Sequence, residues 1–242
     1  MVQTMVQTAP RLILLRHGQS QWNLENRFTG WFDVGLTEKG AEEATAAGAL
    51  LLASGIRPDV VHTSLQTRAI LTANLALSAC EQLWVPVRRS WRLNERHYGG
   101  LTGLNKQETV EFHGEEKVQE WRRSYSLAPP PMVPDHPYNP NTDIRYESVP
   151  EDLLPTTECL ADVVERLIPY WESQLASDLR EFQTVLVAAH GNSLRALVKH
   201  LEGIPEDAIT DLEIPTGAPI VYELKTDLTP LKSIPISDRY LV

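Results

Sequence analysis

Two short apolar runs end in the same pair of residues. Leu12 to Leu15 leads into Arg16-His17-Gly18, and Val185 to Ala189 leads into His190-Gly191-Asn192. In an open α/β sheet, ligands sit where strands end and loops begin. An imidazole there, beside a guanidinium and a glycine that lets the backbone approach closely, suits a phosphate better than a core. A single histidine is more often a hydrogen-bonded structural residue. Two His-Gly pairs at strand ends, one of them preceded by Arg, favour chemistry. The pairs lie far apart in sequence, so only neighbouring strands can bring the imidazoles together.

The residue types define a reaction. A neutral His17 can attack phosphorus in line and hold the group as a phosphoramidate, which splits one transfer into two. Arg16, Arg68 and a protonated His190 can meet the charge on the phosphoryl oxygens without a metal. Asn23 can orient nearby oxygens, and Glu95 can serve as acid for the leaving oxygen and base for the incoming one. A carboxylate beside a dianionic phosphate has its pKa pushed up, which suits it to carry that proton. Taken singly, Arg68 and Glu95 read equally well as a solvated arginine and an ion-pair partner.

The elements that must position these groups follow from periodicity and punctuation. Thr37 is an N-cap for EKGAEEATAAGALLLASG, a helix ending near Gly55. Asp59 to Thr63 is a second strand, and SLQTR opens a helix to about Ser78 with Arg68 in its first turn, where the helix N-terminus favours an anion. Val85 to Val87 reads as a strand. WRLNERHYGGLTGLNK is a loop dense in functional groups, of the kind that lines sites. One amphipathic helix is expected from Asn105 to Arg123, whose closing Arg122-Arg123 also suit the helix dipole. Residues 126–155 are a proline-rich excursion without periodicity. Thr156 or Thr157 caps a long helix that Pro169 kinks. A short helical turn spans Glu206 to Leu212, and Ala218 to Leu224 with Leu231 to Ile236 form an edge hairpin. Strands alternating with helices predict an α/β fold, a three-layer α/β/α sandwich on a mostly parallel sheet.

Composition bounds the function. At 242 residues and 42% hydrophobic, the chain suffices for one α/β domain, expected over residues 11–242 after a disordered leader of residues 1–10. No apolar run approaches the ~20 residues of a membrane span, and MVQTMVQTAP lacks the marks of a secretory signal. A net charge of −10 argues against nucleic acid or a membrane surface as partner. An anionic substrate then requires a local cationic pocket. Cys80 and Cys159 are far apart, and a reduced, cytoplasmic protein is the simplest reading. No Cys/His or acidic cluster suggests a metal. His62, His97, His113, His136 and His200 read as structural or exposed, and Trp22, Trp31 and Trp121 as packing walls.

LRHGQSQWN, with the later AAHGNSLRALVKHL, resembles the histidine phosphatase superfamily. ENRFTGWFDVGLTEKG, NERHYGGLTGLNK, QEWRRS and EIPTGAPIVYEL narrow the resemblance to cofactor-dependent phosphoglycerate mutases, over about Leu12 to Tyr240. The resemblance implies an isomerase of glycolysis and gluconeogenesis that interconverts 3- and 2-phosphoglycerate, primed by 2,3-bisphosphoglycerate and needing no metal. His17 would be the phosphorylated nucleophile. Arg16, Arg68 and His190, with Asn23 and Gly191 beside them, would bind the transferred group, and Glu95 would move the proton. Thr29, Gly30, Tyr98, Lys106, Arg122, Arg123 and Asn192 fall where the substrate's carboxylate and second phosphate are held. A homo-oligomer, dimer or tetramer, is implied by analogy. Gln19 and Gly35 stand where relatives often carry acids. Relatives commonly continue with a lysine-rich tail, whereas this chain stops at Val242; a shorter lid would admit water and raise phosphohistidine hydrolysis. Two other readings remain. A phosphatase would use the same His17 with water as acceptor, but many lack the basic block from Tyr98 to Arg123. A catalytically dead binding module would have lost one of His17, His190 or Glu95, all of which are present.

Overall fold

The computed structural model describes residues 9–241. A five-stranded sheet has the order β3-β2-β4-β1-β5, built from β1 (Arg11–Arg16), β2 (Val60–Thr63), β3 (Val87–Arg89), β4 (Thr184–Ala189) and β5 (Ile220–Glu223). β1 to β4 run parallel, and β5 joins β1 antiparallel. The helices are α1 (Gln21–Leu24), α2 (Glu38–Ala53), α3 (Thr67–Ala79), α4 (Lys106–His113), α5 (Glu115–Arg123), α6 (Leu160–Tyr170), α7 (Ala176–Glu181), α8 (Gly191–Glu202) and α9 (Glu206–Ile209).

The central strands are apolar without alternation because both faces are covered. Leu12 and Leu14 of β1, with Val185 and Val187 of β4, pack under α6, α7 and α8. Ile13, Leu15, Leu186 and Ala188 face the opposite layer, made by α2 and α3. This is the expected three-layer sandwich. α2 and α3 approach so closely that a Cβ on Gly48 would lie 2.2 Å from the Ala76 carbonyl oxygen.

Several boundaries differ from expectation, each for a local reason. Proline has no ladder donor, so the third strand starts after Pro86, at Val87 rather than Val85. The helix expected over Asn105–Arg123 is two helices, broken at Gly114 with φ +83°. Asn105 does cap the first, accepting from the Gln107 and Glu108 amides. Thr157 does not cap α6: its hydroxyl donates to the Pro129 carbonyl, and Cys159 takes the cap position with its amide on Asp162. The break expected at Pro169 comes just beyond it, as a π-helical turn over Trp171–Leu175 that continues into α7. The 126–155 excursion holds only 3₁₀ turns. Leu231 to Ile236 is not a strand: Pro235 falls within it and Ile236 opens a 3₁₀ turn, while an isolated bridge joins Leu224 to Pro230 just before it. Residues 1–8 of the expected leader lie outside the described residues, while the Pro10 carbonyl accepts from the Leu224 amide. Among the described residues no helix is long and apolar enough to cross a membrane.

The turn after β1 depends on a backbone crossing. A Cβ on Gly18 would lie 2.0 Å from the Gly40 carbonyl oxygen, at the start of α2. That contact is backbone on backbone and cannot relax by a rotamer change. Gly18→Ala is expected to lower the unfolding free energy by roughly 1–3 kcal/mol, read from urea midpoints. Gly35→Ala, which meets no atom within 4 Å, should stay within about 0.5 kcal/mol of the parent.

Candidate active site

Parallel pairing of β1 and β4 sets Arg16 opposite Ala189, so both strands end at the same level. The His17 amide donates to the Ala189 carbonyl at 2.9 Å. The two His-Gly pairs are thereby side by side, with ring centroids of His17 and His190 5.0 Å apart. Both rings are almost fully buried, at 3% and 0% exposure.

Hydrogen bonds assign each ring a role. His17 Nδ1 lies 2.7 Å from the Gly18 carbonyl oxygen, which can only accept, so Nδ1 carries the proton and Nε2 keeps its lone pair. His190 Nε2 lies 2.8 Å from Ser64 Oγ. That oxygen already accepts from the Gln66 amide. With the Ser64 hydroxyl donating to Nε2, a neutral His190 carries its proton on Nδ1, a buried atom without a partner. Burial first, then Arg68 and Arg16, push His17 well below its usual pKa. Burial, Arg68, His17 and Arg16 do the same to His190. The expected protonated His190 therefore does not describe the free site, where the ring is neutral at pH 7.

Arg68 is held at the start of α3. Its Nη2 donates to the Gly30 carbonyl at 2.8 Å and its Nη1 to the Phe32 carbonyl at 3.2 Å. Gly30 has a left-handed φ of +57°, and Gln66 also donates to its carbonyl. Asp33, from the same loop, accepts the Thr67 amide and so caps α3. Burial lowers Arg68 to about 10, which leaves it charged at neutral pH. Thr72, one turn along, accepts the Gly18 amide.

Glu95 faces a cavity of about 170 Å³. Arg16, Tyr98, Lys106, Arg122, Arg123, Gly191 and Asn192 line it as well, which gathers most of the residues expected from the sequence. Arg195, Glu213 and Ile214 complete the wall. Gly191 leaves room: a Cβ there would meet the Arg16 guanidinium at 3.6 Å and the Glu95 carboxylate at 3.8 Å. His17, His190, Arg68, Thr29, Gly30 and Asn23 stand outside this lining; Thr29 is buried, and the Asn23 side-chain oxygen accepts from the Ser20 amide and hydroxyl. Burial would raise the Glu95 pKa. The Arg96 amide, Asn192, Arg16 and Arg68 outweigh it and hold the carboxyl below its usual value. In the free site the Glu95 carboxyl is therefore ionised.

Five cations line the cavity, Arg16, Lys106, Arg122, Arg123 and Arg195, against two carboxylates, Glu95 and Glu213. Glu213 pairs with Arg123 at the rim. Sequence reasoning missed Ser64, Gln66 and Asp33, although all three flank Arg68 or its loop. It also missed Glu158, Arg166 and Arg195, which read as ordinary helical charges until packing places them. Among the described residues, no group of three or more His, Cys, Asp or Glu is arranged to hold a metal ion.

A model of the histidine phosphatase superfamily (branch 1) matches residues 12–135 and 135–234. The chain is 58% identical over 221 residues to a 2,3-bisphosphoglycerate-dependent phosphoglycerate mutase of Erythrobacter litoralis, covering 91% of this chain and 96% of that one. It is 57% identical over 230 residues to the enzyme of that name from Sphingopyxis alaskensis, covering 95% of this chain and 100% of that one. Among solved structures, Bacillus stearothermophilus YhfR aligns with a TM-score of 0.70 at 25% identity, covering 93% and 96% of the two chains. A mycobacterial glucosyl-3-phosphoglycerate phosphatase, solved with VO3, aligns at 0.67 with 26% identity over 88% and 92%.

Four buried histidines predict the acid response. Burial depresses His17, His190, His62 (to about 4, against the pull of Asp178) and His97 (to about 3). A folded pKa below the unfolded one means that stability is intact above about pH 6.5 and is lost as the pH falls. Each histidine contributes a slope of up to about 1.4 kcal/mol per pH unit. Urea unfolding at pH 7 and pH 5 should show the loss, with calorimetry recording proton uptake on unfolding at pH 5. Equal stabilities at the two pH values would contradict the buried, neutral state.

Proposed function

The chain belongs to the histidine phosphatase superfamily, and on that premise we propose that it acts there as a 2,3-bisphosphoglycerate-dependent phosphoglycerate mutase, interconverting 3- and 2-phosphoglycerate. The observation that carries this reading is the cationic set Lys106, Arg122 and Arg123, which faces Arg16 and Glu95 across one cavity. A hydrolase needs cations for one phosphoryl group; this set provides for a second anionic end.

The residues present fit 2,3-bisphosphoglycerate. Its carboxylate and two phosphates match five lining cations, and the unpartnered Arg16 Nε and His190 Nδ1 are buried donors suited to phosphoryl oxygens. When bound, it supplies the phosphoryl group that primes the enzyme.

His17 Nε2 forms the bond to phosphorus as the bond from phosphorus to the glycerate oxygen breaks. Arg16, Arg68 and His190 Nδ1 donate to the oxygens of the phosphoryl group in flight. Glu95 begins ionised. It takes the proton from the 2-hydroxyl of 3-phosphoglycerate as that oxygen receives the phosphoryl group from His17. Glu95 then returns the proton to the 3-oxygen, which leaves as His17 takes the second phosphoryl group. The added phosphate charge raises the carboxyl pKa meanwhile, so the proton stays on Glu95 between the two halves. Lys106, Arg122 and Arg123 hold the remaining anionic groups and allow the glycerate to present either oxygen.

A single domain over residues 11–242 carries this chemistry, and membership of the family supports a homo-oligomer, which sedimentation reads directly. The free, buried Cys80 and Cys159 accord with a reducing compartment.

A coupled assay of 3- to 2-phosphoglycerate conversion, with chelator present and phosphate release read in parallel, tests the reading. Conversion that depends on 2,3-bisphosphoglycerate and far exceeds phosphate release is expected. Phosphate release without conversion would make water the acceptor. His17→Ala should abolish turnover and acid-labile phosphoenzyme together. Arg122→Ala should weaken substrate binding by about 1–3 kcal/mol, as for one lost charge-assisted bond; an unchanged KM with a lost chemical step would refute its assignment.

A further inference from the structure

The loop from Trp91 to Tyr98 carries Glu95, yet among the described residues no strand pairs with its backbone between Asn94 and Tyr98. Three of its carbonyls are satisfied from behind by one guanidinium on α6. Arg166 donates to the carbonyls of Arg92 at 2.6 Å, Asn94 at 2.9 Å and Glu95 at 3.0 Å. Glu158 in turn accepts from Arg166 Nε at 2.6 Å and from the His97 amide at 2.7 Å, and its own amide donates to the His97 carbonyl. Arg92 returns a bond to the Arg166 carbonyl at 2.8 Å. Arg166 and Glu158 are 7% and 2% exposed.

A buried ion pair is poor evidence for stability, because desolvation offsets most of the attraction. What an apolar pair could not do is satisfy three carbonyls of a loop without a ladder. The other side of Glu95 is fixed independently: its amide donates to Gln66, and its carboxylate accepts from Arg96 and Asn192. The residue is thus pinned at the backbone from the α6 side and at the carboxylate from the cavity side.

We propose that Arg166 and Glu158 are positioning residues for the acid–base carboxylate, fixing where the Glu95 backbone sits and hence how far its carboxylate lies from the oxygens it serves. The inference rests on the reading of Glu95 as the proton carrier. Neither residue touches the cavity, so neither binds substrate. Arg166 is required as arginine, because a lysine keeps the charge but lacks the planar fork that spans three carbonyls and a carboxylate.

The test is a double-mutant cycle on the full chain. Arg166→Lys and Glu158→Gln are each combined with Glu95→Gln, with melting curves confirming folded protein. For a displacement near 1 Å, kcat should fall roughly 10- to 100-fold in each single variant, with KM for 3-phosphoglycerate within about twofold, since its cationic ligands lie on other elements. In the Glu95→Gln background, Arg166→Lys should add less than about a twofold further loss. Losses that multiply in the double variant, or an unchanged kcat in both single variants, would overturn the proposal and leave a merely structural pair. Should Arg166→Lys fail to fold, Glu158→Gln, which preserves shape and an acceptor for the His97 amide, decides the matter. Full activity in Glu95→Gln alone would instead remove the proton-carrier reading, a separate failure visible before the cycle is closed.

Discussion

Everything at this site depends on the parallel pairing of β1 with β4. Hydrogen bonds between Leu12–Arg16 and Val185–Ala189 bring two strand ends to one level, and the residue that follows each is a histidine. A slip of one residue would turn Leu12 and Leu14 from one helical layer to the other, and would part the imidazoles. The pairing is held by burial on both faces, so the energy that fixes the distance between the imidazoles is the energy of the core. The two imidazoles need no flexible element to meet.

Burial then sets the electrostatics. Desolvation and nearby arginines keep both imidazoles neutral, which leaves His17 with a lone pair and His190 with an unpartnered donor. The same desolvation would neutralise Glu95, but backbone and side-chain donors keep it ionised. In the proposed mechanism the free enzyme is thereby poised with a nucleophile and a base. The incoming anion brings the charge that reverses their preferences. This arrangement also reconciles an acidic chain with a polyanionic substrate: the cations gather in one cavity, while the excess of carboxylates lies elsewhere on the surface.

The support beneath the site is made by backbone contacts as much as by side chains. Gly30 adopts a left-handed conformation and offers its carbonyl to Arg68. Gly18 and Gly40 cross without room for a Cβ. Arg166 does for the Glu95 loop what a neighbouring strand does for β1. Loops carry function when a rigid frame limits their freedom, and here that frame is a guanidinium rather than a ladder.

The sequence by itself determined the layer architecture, both His-Gly strand ends, Arg68 in the first turn of its helix and the loop that carries Glu95. It could do so because period and punctuation are local properties: buried strands read as apolar runs, and glycine and threonine mark where elements stop and start. The carried-over positions Lys106, Arg122, Arg123 and Asn192 were legible only through resemblance, since nothing in their spacing aims them at one cavity. Tertiary structure alone decided the rest. Gly114 split a helix whose charge pattern ran on through it, and Pro235 falls inside a strand that composition allowed. Ser64 as partner of His190, Asp33 as cap of α3, and Glu158 with Arg166 behind Glu95 all depend on contacts between segments distant in sequence. The protonation of His17, His190 and Glu95 was likewise beyond the sequence, because a pKa is set by burial and by charges that only the fold brings within reach.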